Sequence, residues 1–291
     1  MGNNQNPFSL YDFLGYFTPG AVFLYVGIAV SERFVQFNFH ENIKGRGFHE
    51  LETYVGLVIL AYIIGLALSL LSSVFIEKFS IWRYGYPSKY LTSTSHHGYF
   101  KSTSDEPELI SCPNVLARLI VWVFLLPVSL LDWIFGDLLN RKSLYVGALD
   151  HVLNKIVWAK VGDLLTKNSG LSKPPSGESW YRQDYFRFLY HYVLVNSEVH
   201  APSLKNYVAL YGFSRTMTFL FVVMFWGSFI LLCKYHFQSN ILLSVFVASI
   251  PMSFIYYMNF NKFFRRYSLE DLMAVAVIHK RDMTIDPDLI N

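Results

Sequence analysis

A chain of 291 residues that is 53% hydrophobic and only 15% charged is poor material for a soluble domain, which carries about 25% charged side chains. Its formal net charge of +3 is too small to imply a nucleic-acid partner by itself. Two cysteines, Cys112 and Cys233, supply neither a disulfide framework nor a zinc spacing, and both are read as packing residues.

From the N-terminus, no Lys or Arg precedes Arg33, so the charged leader of a signal peptide is missing. Asn6 stands where a myristoylation sequence has Ser or Thr. The first apolar run is therefore expected to remain as an anchor. Four runs, Phe13–Val30, Tyr54–Phe75, Thr216–Cys233 and Ile241–Phe260, hold no Asp, Glu, Lys, Arg or His. Each approaches the roughly 20 helical residues that a hydrocarbon core of about 30 Å requires. A fifth, Leu119–Phe135, contains Pro127 and Asp132; a carboxylate there costs about 2.5–3.5 kcal/mol on insertion scales. This run is a fifth span, a re-entrant hairpin or a buried helix.

With four spans and both termini cytoplasmic, only Arg33, Lys44, Arg46 and Lys234 of the 24 basic residues lie outside, leaving 20 inside. Five spans with an external N-terminus would put Lys78, Arg83, Lys89, Lys101, Arg118 and Lys234 outside, leaving 18 inside. The positive-inside rule favours four. The expected fold is an all-α polytopic membrane protein with two transmembrane helical hairpins, residues 1–76 and 213–260, flanking a mainly helical cytosolic insertion, residues 77–212. A cytosolic C-terminal helix and tail, 261–291, follow.

Within the insertion, residues 77–114 are rich in turn formers. Val152, Ile156, Val157, Val161, Leu164 and Leu165 then recur at helical spacing, and NSGLSKPPSGES ends that helix. The stretch SWYRQDYFRFLYHY, residues 179–192, interleaves rings with Arg182 and Arg187. Rings beside guanidinium groups are what nucleotides and single strands require, and Arg182, Tyr185, Arg187, Arg265 and Arg266 are ligand-binding candidates. Five residues separate the two arginines of this stretch, about 140° around a helix, so an interfacial helix with aromatics at headgroup level is the competing reading. Ser268 and Asp271 form a capping-box-like pair that predicts a separate short helix near the C-terminus.

The spans carry small and hydroxyl residues in lines. Pro19 and Gly20 lie in the first run, where proline removes a helix hydrogen bond and glycine permits close approach. Gly65, Ser69 and Ser72 share one face of the second, and Ser249, Ser253, Tyr256 and Asn259 one face of the last. Such lines turn away from lipid, toward a helix interface or a pore wall; alternatively the serines bond back to their own helices. Without intramembrane charge, a proton-coupled transporter or a voltage sensor is disfavoured.

Enzyme motifs are missing: there is no phosphate-binding loop, GxGxxG, GxSxG or HExxH. PSGES, residues 175–179, misses a phosphatase element by placing Glu178 where that element has His. His96, His97 and His200, the last beside Glu198, read as loop residues.

Three sets of segments resemble a group of bacterial membrane proteins: YDFLGYFTPGAVFL; AYIIGLALSLLSSVFIEKF with YGYPSKYL; and LYGFSRTMTFLF with FFRRYSLEDLMA. The group shares a YxxxGYxxPG opening, a second span ending in Ser-Ser and Glu-Lys or Glu-Arg, and YGFxR before the third span. The likeness covers roughly the outer half of the chain, and many members have a His where this chain has Leu66. It extends to the membrane channel effector of Hailong-type phage-defence systems, which implies a homo-oligomer, a tetramer, gated by a nucleotide or single-stranded DNA oligomer that a partner nucleotidyltransferase makes. The leading expectation is thus an oligomeric ligand-gated pore of a bacterial inner membrane, without enzyme activity or cofactor. A membrane-anchored scaffold without flux, and a membrane-surface enzyme, are the alternatives.

Overall fold

The computed structural model describes residues 12–35, 50–92, 99–100, 112–169 and 185–278. The described residues are helical, with no strand among them. Helix α1 is Thr18–Val30, flanked by π turns at Phe13–Phe17 and Ser31–Val35. Helix α2, Glu50–Ser72, continues through a π turn, Ser73–Glu77, into Lys78–Tyr84. The short α3 is Pro87–Tyr90, α4 is Cys112–Phe124, α5 is Leu126–Asp132, α6 is His151–Ser169 and α7 is Tyr185–Asn196. Helices α8, His200–Lys234, and α9, Asn240–Ile278, are the longest.

Four helices are long and apolar enough to cross a membrane. At 35 and 39 residues, α8 and α9 measure about 52 and 58 Å, well beyond a core of about 30 Å. They run antiparallel: Phe225 stacks on Phe246 at 4.8 Å, Phe221 on Tyr256 at 5.5 Å, and Tyr211 lies 5.2 Å from Phe264. The Tyr235 hydroxyl in the connecting turn donates to the Phe34 carbonyl at 2.6 Å. The α8–α9 turn and the C-terminal end of α1 therefore share one end of the bundle, and residues 72–84 of α2 lie toward the other.

Two glycines explain the composition of the first span. A Cβ on Gly20 would fall 1.8 Å from the Ala61 carbonyl oxygen, and one on Gly65 1.8 Å from that of Tyr16. Helices α1 and α2 thus meet backbone to backbone, where only hydrogen fits. Beyond the apolar part of α2, Gly85 adopts φ +83°, a left-handed conformation open to glycine, and turns the chain into Pro87.

The Leu119–Phe135 run is a bent pair: α4 and α5 meet at 93°. Its apex reaches Trp226, whose indole N–H donates to the Phe124 carbonyl at 2.7 Å. Trp226 is ten residues beyond Thr216, about 15 Å along α8. The Ser129 hydroxyl donates to the Trp122 carbonyl at 3.0 Å, so side chains satisfy carbonyls near the bend, as apolar surroundings require. Arg118 on the first limb covers the Trp82 ring at 5.4 Å. On the second limb Asp132 accepts from Arg83 Nε at 3.1 Å and from the Tyr84 and Tyr145 hydroxyls. Both limbs are tied to residues 82–84, so the pair doubles back beside the end of α2.

Two expectations are corrected. No short helix begins at Ser268: α9 runs unbroken through it, and both Ser268 and Asp271 are buried. Nothing between Phe260 and Ser268 breaks a helix; Lys262, Arg265 and Arg266 end an apolar run without ending the hydrogen-bond ladder. Cys233 is not a packing residue but an exposed free thiol in the last turn of α8.

Candidate functional site

The segments singled out in the sequence meet in two places. The first is a seam along α2. Beyond Gly20–Ala61 and Tyr16–Gly65, the same face of α2 presents Ser69 and Ser72 to Arg215 of α8. Arg215 Nε donates to Ser72 Oγ at 3.1 Å, Nη2 reaches Ser69 Oγ at 3.5 Å, and Nη1 pairs with the Glu77 carboxylate. The Arg215 side chain is only 10% exposed and that of Glu77 27%. Buried cations need such partners, because desolvation without a counter-ion costs several kcal/mol. Nearby, the Ser80 hydroxyl donates to Asn261 Oδ1, tying α2 to α9.

The second is a cleft of about 650 Å³. YGYPSKYL contributes Tyr86, Pro87, Ser88 and Lys89, and FFRRYSLEDL contributes Phe264, Tyr267 and Ser268; α7 adds Tyr185, Arg187 and His191 among others, and α2 adds Glu77. Its walls are ring stacks: Phe186 and Tyr190 lie 5.8 and 5.7 Å from Tyr267, and Tyr185 lies 6.1 Å from Trp158. Lys89 and Arg187 bring positive charge to a ring-lined hollow, and Glu77, whose carboxylate pairs with Arg215, lines it as well. Rings offer stacking faces and the cations a place for anionic oxygens.

One turn beyond Tyr267, Asp271 is fully buried and neither carboxylate oxygen has a hydrogen-bond partner among the described residues. It lies eleven residues past Phe260, about 16 Å outside the apolar part of α9. Desolvation raises its pKa to about 8, so the carboxyl is held largely neutral.

Of the ligand candidates, Tyr185 and Arg187 line the cleft. Arg265 does not: its Nε donates to the Gly147 carbonyl at 2.7 Å, fastening α9 to the segment before α6. Arg266 is exposed and also outside the lining. Arg182, His96, His97 and PSGES lie outside the described residues. Of the interface candidates, Gly65, Ser69 and Ser72 face α1 and α8 of their own chain. Ser249 and Ser253 are buried and donate to the Phe246 and Ile250 carbonyls at 2.7 and 2.8 Å; Tyr256 stacks on Phe221, and Asn259 is half-buried. The hydroxyl line on α9 is therefore turned into one chain and bonded to its own helix. His200 pairs with Glu270, Nδ1 to Oε1 at 2.7 Å, rather than with Glu198.

Sequence reasoning missed Lys89, Tyr267 and the Glu77–Arg215 pair. The available signal was positional: Glu77 is the first charge after one uncharged run, and Arg215 the last before another. No three His, Cys, Asp or Glu side chains cluster as a metal site among the described residues. No protein family, curated protein or solved structure matches the chain. The fold and composition define the class: a helical protein with the spans of a multi-pass membrane protein.

Proposed function

We propose that this chain is a ligand-gated pore subunit of a bacterial inner membrane, with the ring-and-cation cleft as its ligand site. The two helical hairpins, α1–α2 and α8–α9, cross the bilayer; residues 87–199 and both termini belong to the cytoplasmic side, as the charge bias favours, and the bent pair α4–α5 re-enters the bilayer from that side. The observation that carries the reading is the cleft itself. It gathers Lys89, Arg187 and several tyrosines beside residues 264–268 of α9, a helix that runs without a break into the apolar part of the bundle, and beside Glu77, where the π turn after α2 closes. A ligand held there bears directly on helices that cross the membrane. Its chemistry matches a phosphate ester with a planar base, a nucleotide or short oligonucleotide, in keeping with the resemblance to defence effectors. Because Ser249 and Ser253 of α9 are turned into their own chain, the pore in this reading lies between copies, a tetramer, with walls that these hydroxyls do not line.

The purified full-length protein in liposomes carrying a potassium gradient tests this. Added ATP, GTP or short oligodeoxynucleotides are expected to collapse the gradient, and Arg187→Glu to abolish the response. A gradient that survives every one of them overturns the reading. Sealed Ser249 and Ser253 specifically favour the rival, an anchored scaffold without flux; it predicts ligand binding with an intact gradient.

A further inference from the structure

Between α5 and α6 the chain is pinned to α9 at two heights. Phe135, in the π turn Trp133–Leu138, stacks on Phe254 at 5.3 Å, and the Gly147 carbonyl accepts from Arg265 Nε at 2.7 Å. Phe254 lies six residues inside the end of the apolar run at Phe260, and Arg265 five beyond it, about 9 and 8 Å along the helix. Residues 136–146 are therefore held where the apolar part of α9 gives way to charge. Apolar side chains on this loop are bare: Leu138, Leu139 and Leu144 are 66%, 51% and 64% exposed. Trp133, at the start of the turn, is exposed as well, and its ring type concentrates at headgroup level.

The loop is closed by its own backbone. Leu139 N and Arg141 N donate to the Ile134 and Phe135 carbonyls at 2.9 and 3.0 Å, and Asn140, at φ +51°, reverses the chain between them. Asp137, the one carboxylate between residues 133 and 147, is engaged by Arg83 and Lys142. Arg141 is exposed among the leucines, with no side-chain partner among the described residues. Lys262 and Arg266 are exposed on α9 at the same level, and no described residue pairs with them either.

Bare leucines around an unpaired guanidinium suit a bilayer surface, where the apolar groups enter the acyl boundary and the cation meets phosphates. We propose that residues 138–144 rest in the headgroup layer at this end of the bundle, and that Arg141, with Lys262 and Arg266, binds acidic phospholipid there. The proposal goes beyond the ligand reading of the cleft. It rests only on α8 and α9 crossing the bilayer, so a cleft that takes no nucleotide leaves it untouched. A zwitterionic headgroup brings its own cation beside the phosphate, whereas phosphatidylglycerol brings none, so three unpaired basic groups favour the acidic lipid.

Full-length protein with Cys112→Ser, Cys233→Ser and Leu139→Cys, carrying a bimane fluorophore at position 139, is reconstituted in vesicles of equimolar phosphatidylcholine and phosphatidylglycerol. One lipid or the other is spin-labelled near the top of its acyl chain, and quenching of the fluorophore is compared. Both lipids are expected to quench, and the local concentration of phosphatidylglycerol read from quenching should exceed that of phosphatidylcholine roughly fivefold, about the factor one basic side chain contributes near an acidic membrane surface. Arg141→Gln should remove about half or more of that preference and Arg141→Lys should keep most of it. Adding Lys262→Gln and Arg266→Gln to Arg141→Gln should bring the two lipids level, with quenching by both retained. Absence of quenching by either lipid means that protein covers the loop, a second copy included, and overturns the proposal. Equal quenching in the parent, or a preference that Arg141→Gln leaves intact, overturns the assignment of acidic lipid to this loop.

Discussion

The membrane part of the bundle and the part beyond it are held together by opposite means. Where α1 crosses α2, nothing larger than a hydrogen fits between Gly20 and Ala61 or between Gly65 and Tyr16, and Ser249 and Ser253 of α9 bond back to their own helix. Beyond Arg215 the contacts become ion pairs, shared hydroxyls and rings: Arg83 with Asp132 and Asp137, Tyr84 with Tyr145, and Tyr267 with Tyr190. In hydrocarbon there is no hydrophobic force between helices, so close backbone packing supplies the attraction. At the wet end, long polar side chains reach partners across wider gaps. The contrast teaches that the first region tolerates almost no added volume, and the second almost no lost partner.

The largest effect is expected from adding volume at the tight crossing. Gly65→Val must push its branches into the Tyr16 backbone, and its cost should exceed the usual 1–3 kcal/mol of an overpacked core. The protein should fail to yield a monodisperse peak on detergent gel filtration, and normal yield would break the contrast. Next, Arg83→Ala strips Asp132 and Asp137 of their shared cation. Removing one partner of a buried pair costs about 3–5 kcal/mol, discounted here because Asp137 is partly exposed; a lowered melting temperature checks it, and Arg83→Lys should recover part of the loss.

A smaller, pH-dependent effect belongs to Asp271. Its carboxyl is neutral in the folded protein up to about pH 8, whereas in the unfolded chain it ionises near 3.8. Between these values the folded state binds the extra proton, so stability falls as pH rises. Asp271→Asn should therefore raise the melting temperature more at pH 7.5 than at pH 5, and an equal gain at both would contradict the burial argument. Least costly is Ser253→Ala. A hydroxyl bonded back to its own helix contributes little, so the loss should be under about 1 kcal/mol and flux, where present, unchanged. A large fall in conductance with an unchanged melting temperature would mean that the hydroxyl meets water between copies.

Much of the membrane half is legible in sequence, because uncharged runs of helical length have few alternatives. The helical period puts each line of small residues on one face but does not say what that face meets: Gly65 needs the position of Tyr16, which the period does not supply. The last helix is misjudged from its charges. Lys262, Arg265 and Arg266 bound the apolar run, but charge does not end a helix, and no proline or glycine occurs between Phe260 and Ile278. The cleft is half legible. Tyr185 and Arg187 announce themselves by composition, while Lys89 and Tyr267 are brought to them by chain reversals that no local pattern encodes. Arg215 and Glu77 are 138 residues apart, and only the antiparallel course of the spans makes them neighbours.

The length of α9 has a mechanical consequence. Eighteen residues separate Phe260 from Ile278, so a stiff rod of about 27 Å extends past the apolar segment. Pivoting it by about 5° at the level of Arg215 would carry its tip about 2 Å sideways. Small rearrangements at the membrane surface are thus magnified where the rod ends, and pressure applied to that tip by a neighbouring molecule would be delivered back to the pivot with the same leverage.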